Sequence, residues 1–184
     1  MVPAHGRNAL RLCRCQGRTP SRDVMTVTHR THVIDGVRCV SVDDRLYLRG
    51  RLEERTTDWY AQDRRGKVWY FGEQTTELDR HGHVTSTAGT WCAGVDGARA
   101  GIYMPADPRV GVSARQEYYK GQAEDDFAVI GRFGANSVLT KEWTPLEPGV
   151  LDHKFYVRGV GTVLEQTERG GDERNELVSV AHGR

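Results

Sequence analysis

Short stretches of β-branched and apolar residues, separated by turns that contain glycine, run along most of the chain. Residues 24–33 are rich in Val and Thr, whose branching at Cβ favours a pleated strand. Asp35 and Gly36 follow, and Asp-Gly between two such stretches is the strongest short signal for a β-hairpin. Residues 38–42 then form the predicted return strand.

The same turn chemistry recurs at Arg49 and Gly50, at residues 63–66 and at residues 79–82. Turns at such regular intervals predict an antiparallel meander. Glycine accounts for 21 of the 184 residues, which agrees with many tight turns. Other predicted strands are residues 67–72, 84–91, 137–143, 154–158, 161–166 and 176–180. Residues 94–101 and 104–111 are expected to be loops.

The pattern predicts a mainly β fold, an antiparallel meander that forms a curved sheet or a partly closed barrel. It allows at most one short helix, for which residues 123–129 are the candidate, although a strand also fits them. We expect three segments: a disordered basic N-terminal segment (residues 1–23), one antiparallel β domain (residues 24–180) and a tail (residues 181–184).

Charge and composition exclude several classes of protein. The chain has 26 Lys and Arg against 25 Asp and Glu, a net charge of +1, so no overall charge recruits nucleic acid. No uninterrupted apolar run is long enough for a transmembrane helix, and the Arg-rich first segment has no recognisable signal peptide. Because phosphate-loop and dinucleotide-binding motifs are missing, we expect no cofactor.

Adjacent aromatic residues are the best indication of function. Neighbours in a strand point to opposite faces, so Trp59 and Tyr60 cannot both enter one core, and the same holds for Trp69 and Tyr70. One ring of each pair needs a cover: a loop, a partner or a ligand. Alternatively, the rings only stabilise the sheet by cross-strand pairing. The predicted ligand-binding residues are Trp59, Tyr60, Trp69, Tyr70, Tyr118 and Tyr156.

Other reactive side chains give weaker signals. His81 and His83 resemble a metal-binding pair, but a turn without further fixed ligands favours solvated histidines, and we assign no metal site. Glu73, Glu117 and Asp125 would serve a hydrolase if the fold brought them together. We assign no catalytic residue. A disulfide between Cys39 and Cys92 stays open, because sequence does not give their separation.

Five ordered blocks resemble a family of uncharacterised bacterial proteins, mostly exported or of the lipoprotein type. The resemblance covers about residues 26–180 and implies a β-rich fold and an exported or cell-envelope location, although no function is established for the family. The blocks are DWYAQDRRGKVWYFGE (residues 58–73), WCAGVDGARAGIYMPADPRVG (91–111), RQEYYKGQAED (115–125), TKEWTPLEPG (140–149) and YVRGVGTVLE (156–165).

Together these features favour a non-enzymatic binding module of the cell envelope. Its aromatic face would take an apolar or sugar-like ligand, or a protein partner. Two alternatives remain: a hydrolase whose carboxylates assemble in the fold, and a structural protein-interaction domain. The sequence does not give the oligomeric state or the identity of the ligand.

Overall fold

Strands and short turns make up the part of the chain that the computed structural model describes, residues 8–16 and 19–182. No helix long and apolar enough to cross a membrane occurs in these residues. The strands are Asn8–Gln16 (β1), Thr19–Ile34 (β2), Val37–Leu48 (β3), Arg51–Gln62 (β4), Val68–Leu78 (β5), Val84–Ser86 (β6), Trp91–Cys92 (β7), Arg99–Met104 (β8), Ser113–Arg115 (β9), Glu117–Tyr118 (β10), Asp126–Phe133 (β11), Ser137–Trp143 (β12), Leu151–Val157 (β13), Gly161–Arg169 (β14) and Glu173–His182 (β15).

All these strands belong to one antiparallel sheet that forms a nearly closed barrel with one unsealed seam. Its order is β10-β8-β5-β4-β3-β2-β1-β15-β14-β13-β12-β11-β9, and β6 and β7 also pair with β5. The two ends of this order, β9 and β10, flank Gln116 in the chain, so the sheet curls until its two edge strands lie close together without pairing. The predicted fold class, a mainly β antiparallel meander in a curved or partly closed form, is confirmed.

The predicted hairpin turns have the backbone geometry that their residues allow. Asp35 and Gly36 both have positive φ, 48° and 74°, and Arg49 has φ 51°. Such paired left-handed residues match the twist of the flanking strands. In the turn before β5, the Gly66 amide donates to the Asp63 carbonyl at 2.9 Å.

The N-terminal part of the chain differs from the expected disordered segment. Residues 8–16 form β1, which pairs with β2 on one side and with β15 on the other. Leu12 is buried there, whereas the sequence shows only a brief Leu-Arg-Leu alternation among arginines. Residues 1–7, 17 and 18 of that predicted segment, and residues 183 and 184 of the predicted tail, lie outside the described residues.

Two segments in the middle also differ from expectation. Residues 123–129, the candidate helix, do not form a helix. Residues 126–129 instead belong to β11, which pairs with β12 and β9. Residues 94–101, expected as a loop, end inside β8. β8 pairs with β5 and β11 pairs with β12, and these pairings supply the hydrogen bonds of both strands. Local propensity does not reveal such pairing.

Two clusters of buried side chains support the barrel. In one, Trp91, Ala93 and Ala98 pack with Ile34, Cys39 and Phe71. Cys39 and Cys92 are both free thiols, so no disulfide joins them. The other cluster consists of Phe127, Val129, Val138 and Tyr156 on β11, β12 and β13.

The seam depends on a close backbone approach at Gly101. A Cβ added to Gly101 would lie 1.9 Å from the carbonyl oxygen of Gln116, far inside van der Waals contact. Only glycine therefore lets β8 approach the residue that links β9 to β10.

We predict that Gly101→Ala destabilises the protein, because the new methyl group must push the two backbones apart. We expect a loss of about 1–3 kcal/mol in the free energy of unfolding, measured by urea denaturation. Gly149→Ala is the control, since a Cβ there meets no atom within 4 Å. Equal stability of the two variants would contradict the role of Gly101.

Candidate functional site

A cavity of about 420 Å³ opens at one end of the barrel. Four chain segments surround its mouth: residues 62–66, 104–108, 132–136 and 157–161. Below the mouth, its wall is largely apolar, because alternate residues of β1, β2, β3, β5, β8 and β12 point inward. The apolar wall consists of Leu10, Met25, Val27, Val42, Val68, Met104 and Val138.

Four tyrosines, Tyr60, Tyr70, Tyr103 and Tyr156, form a layer across the barrel interior; we call them the tyrosine layer. Tyr60 stacks on Tyr70 with ring centroids 4.7 Å apart, and its other neighbour Tyr103 meets it edge-on at 4.9 Å. Tyr103 in turn meets Tyr156 edge-on at 6.0 Å. Tyr60, Tyr103 and Tyr156 line the cavity, and Tyr70 lies behind Tyr60.

Strand register explains why these rings meet. Tyr60 is paired directly with Tyr70 across β4 and β5, so both side chains lie on the same face of the sheet. Tyr156 is paired with Val138 in the same way on β13 and β12. One inward position further from the mouth, the paired residues become polar: Asp58 with Glu73, and Thr140 with Lys154.

Asp58, Glu73 and Tyr70 form a hydrogen-bonded group behind the cavity. The Tyr70 hydroxyl donates to Asp58 Oδ1 at 2.7 Å and lies 3.1 Å from Glu73 Oε2. Burial raises the pKa of Asp58 to about 7, and burial with the nearby Asp58 charge raises the pKa of Glu73 to about 8. One hydroxyl proton serves one carboxylate, so the second contact is a full hydrogen bond when Glu73 is protonated and donates.

Lys154 lies on the other side of the interior between two carboxylates. Its Nζ is 3.2 Å from Glu142 Oε2 and 3.1 Å from Glu165 Oε1. Burial disfavours its charge, but Glu142 and Glu165 outweigh burial, and the pKa of Lys154 stays well above its usual value. Glu142 also accepts a hydrogen bond from the Tyr156 hydroxyl at 2.8 Å, which fixes that ring at the cavity.

Of the three acids that the sequence suggested for a hydrolase, Glu117 and Asp125 have adjacent backbones, since the Glu117 amide donates to the Asp125 carbonyl at 3.2 Å. Glu117 lies close enough to Asp125 and Glu73 that burial, followed by their charges, raises its pKa well above the usual value. Burial likewise raises the pKa of Asp125. None of the three carboxylates lines the cavity, because the tyrosine layer lies between.

The six predicted binding residues divide between the two faces of the sheet. Tyr60, Tyr70 and Tyr156 point into the barrel, and the sequence missed Tyr103, which lies between two segments expected to be loop-like. The other three have neighbours elsewhere: Trp59 stacks on His32 at 5.4 Å, Trp69 donates from Nε1 to Asp63 at 3.2 Å, and Tyr118 lies between Arg99 and Arg115.

His81 and His83 lie in a turn that the side chain of Asp79 organises. His81 and His83 are exposed, and the carboxylate of Asp79 accepts hydrogen bonds from both of their backbone amides, which stabilises the turn. Among residues 8–16 and 19–182, no three His, Cys, Asp or Glu side chains are grouped to hold a metal ion.

Comparisons with known proteins add no relative. No protein-family model, no curated protein and no solved structure matches this chain. The family resemblance noted from the sequence therefore stays a prediction.

We predict that stability falls as pH rises from about 5 to about 9. The folded pKa values of Asp58 and Glu73 lie above those of unfolded carboxyl groups, so the folded state binds more protons in this range and loses that advantage as pH rises. Glu73→Gln keeps a hydrogen-bond donor near Tyr70 without the charge. It should gain on the order of 2 kcal/mol over the wild type at pH 9 but little at pH 5.

Thermal melting followed by circular dichroism at several pH values measures this effect. Glu147→Gln, at an exposed loop position, is the control and should follow the wild-type profile. A Glu73→Gln profile parallel to the wild type would show that Glu73 is not protonated in the fold.

Proposed function

We propose that this protein binds a small apolar molecule inside its barrel. The observation that carries the proposal is the cavity of about 420 Å³, whose walls are mainly aliphatic side chains and tyrosine rings. Small-molecule sites have volumes of roughly 300–1,000 Å³, with mostly apolar linings and a few polar groups.

The chemistry of the walls supports an apolar ligand over the sugar-like one that the sequence left open. A sugar needs several free hydrogen-bonding groups along its length, whereas below the mouth the Tyr156 hydroxyl already donates to Glu142. An aliphatic body instead displaces water from Met25, Val27, Val42 and their neighbours, which is favourable by about 25 cal/mol per Å² of apolar surface buried.

The positions of the carboxylates favour binding over hydrolysis. Asp58 and Glu73 resemble an acid–base pair because Tyr70 bridges them and their pKa values lie near 7 and 8. General acid–base catalysis requires such a group within hydrogen-bond reach of the substrate. A ligand in the cavity meets the tyrosine layer first, so hydrolysis remains the second candidate.

The outward aromatic residues give little support to the protein-interaction alternative. Trp59 and Trp69 are half-buried by neighbours in their own chain. Of the six predicted rings only Tyr118 is exposed, with 40% of its surface accessible. We propose a location in the cell envelope on the basis of the family resemblance alone.

We predict that the neutral apolar dye N-phenyl-1-naphthylamine binds the wild-type protein with enhanced fluorescence. Met25→Trp should weaken this binding at least tenfold, because Met25 lines the cavity and the indole fills part of its volume. Fluorescence titration gives both dissociation constants.

Thr26→Trp is the matched control. Thr26 is paired with Asp43 on the opposite face of β2, so its indole lies outside the barrel and dye binding should not change. Circular dichroism checks that both variants fold. No dye binding by the wild type, or equal binding by Met25→Trp, would overturn the proposed cavity site.

A further inference from the structure

We infer that the ligand is an amphiphile whose anionic group is held by arginines at the cavity mouth while its apolar body points inward. This inference rests on the proposed function and specifies the ligand of that same site. Four arginines line the mouth: Arg64, Arg65, Arg132 and Arg158. They come from three different turns or strand ends, so their charges surround the opening.

Three of these guanidinium groups are available. Arg132 pairs with Asp107 at 3.1 Å. Arg64, Arg65 and Arg158 are exposed, and within the described parts of the chain none of them forms an ion pair. A guanidinium presents a planar set of donors that matches a carboxylate or phosphate, which makes arginine well suited to bind such groups.

The turn before β5 fixes two of the three arginines. Asp63 Oδ1 accepts from the backbone amides of Arg65 and Lys67 at 2.9 and 3.0 Å, and its Oδ2 accepts from Trp69. The Gln62 side chain also donates to the Gly66 carbonyl at 2.9 Å. Asp63 therefore stabilises the turn, while Arg64 and Arg65 project from it at the mouth.

The opposite end of the cavity sets the orientation of the ligand. Behind the tyrosine layer lie Asp58, Glu73 and Glu117, which already repel one another. An anionic group placed deep in the barrel would add to this repulsion, whereas at the mouth it meets unpaired cations. The apolar body therefore lies against the aliphatic wall and the tyrosine rings.

The cavity volume limits the size of the apolar body. At about 420 Å³ it lies near the lower end of the usual range, which favours a single short chain or a small ring system. The shared chemistry is thus one apolar body with one carboxylate or phosphate. A free fatty-acid-type carboxylate and a phosphate ester both satisfy it.

Three ten-carbon probes separate these possibilities: decanoate, decyl phosphate and decanol. Displacement of N-phenyl-1-naphthylamine from the full chain at pH 8 and low salt gives their affinities. We expect at least one anionic probe to bind about tenfold more tightly than decanol, and we expect added salt to reduce the difference. The relative affinities of decanoate and decyl phosphate identify the preferred anionic group.

Arginine variants locate the source of the preference. The triple variant Arg64→Gln, Arg65→Gln, Arg158→Gln should lose about tenfold in affinity for the anionic probe and keep its affinity for decanol. Asn136→Asp, which adds a carboxylate at the mouth, should act in the same direction. Arg49→Gln, in the turn at the opposite end of the barrel, is the control and should leave both affinities unchanged.

The outcomes distinguish this inference from the proposed function. Equal wild-type affinities for decanol and both anions, or equal losses for all probes in the triple variant, would overturn the anionic group while the apolar site stands. Failure of the dye and of all three probes to bind would overturn both.

Discussion

A nearly closed sheet sends every second side chain of each strand into a confined interior, and this alternation governs the rest of the molecule. The interior cannot hold large side chains at every level, so its contents change with depth. On β4 and β5, Val68 lies nearest the mouth, Tyr60 and Tyr70 follow, and Asp58 and Glu73 lie beyond them. On β3 the aliphatic Val42 is paired directly with Asp58, so aliphatic and charged side chains share that depth. The cavity is the part of the interior that aliphatic side chains and tyrosine rings line without filling.

Burying charged side chains inside the barrel is unfavourable, and the structure offsets this in two ways. Lys154 is balanced by Glu142 and Glu165 through direct contacts. Other carboxyl groups, including Asp44 beside Asp23, are buried near like charges, and this raises the pKa of Asp44 well above its usual value. Protonation removes charge where no cation is at hand, so these acids act as hydrogen-bond donors as well as acceptors.

Local sequence patterns predicted most of the fold. Turns such as Asp35-Gly36 and Arg49-Gly50, and strands such as β5, follow from side-chain chemistry within a few residues. The N-terminal strand was missed because its signal is two leucines among arginines, and its partner β15 lies at the far end of the chain. Pairing between distant segments leaves no mark on local periodicity.

The candidate site was predictable only in part, for a related reason. Because side chains alternate along a strand, Trp59 and Tyr60 must point to opposite faces of the sheet. Which of the two rings enters the barrel depends on the direction in which the sheet curls. Tyr103 was missed because strand β8 is held by pairing with β5 in a region of glycine and proline turns. The mouth arginines lie in turns whose sequence indicates a change of chain direction but not what surrounds it. Their grouping follows from closure of the sheet.

That closure has a consequence for how the protein folds. Hairpins such as β2–β3, β3–β4 and β13–β14 join neighbouring segments, whereas β1 and β15 join the two most distant strands. Bringing distant segments together carries the larger loss of chain entropy, so we expect this pairing to form late on the folding pathway. Leu10 of β1 belongs to the cavity wall, and the complete wall therefore first exists in the last steps of assembly. A molecule held there would slow the unfolding rate and leave the rate of hairpin formation unchanged.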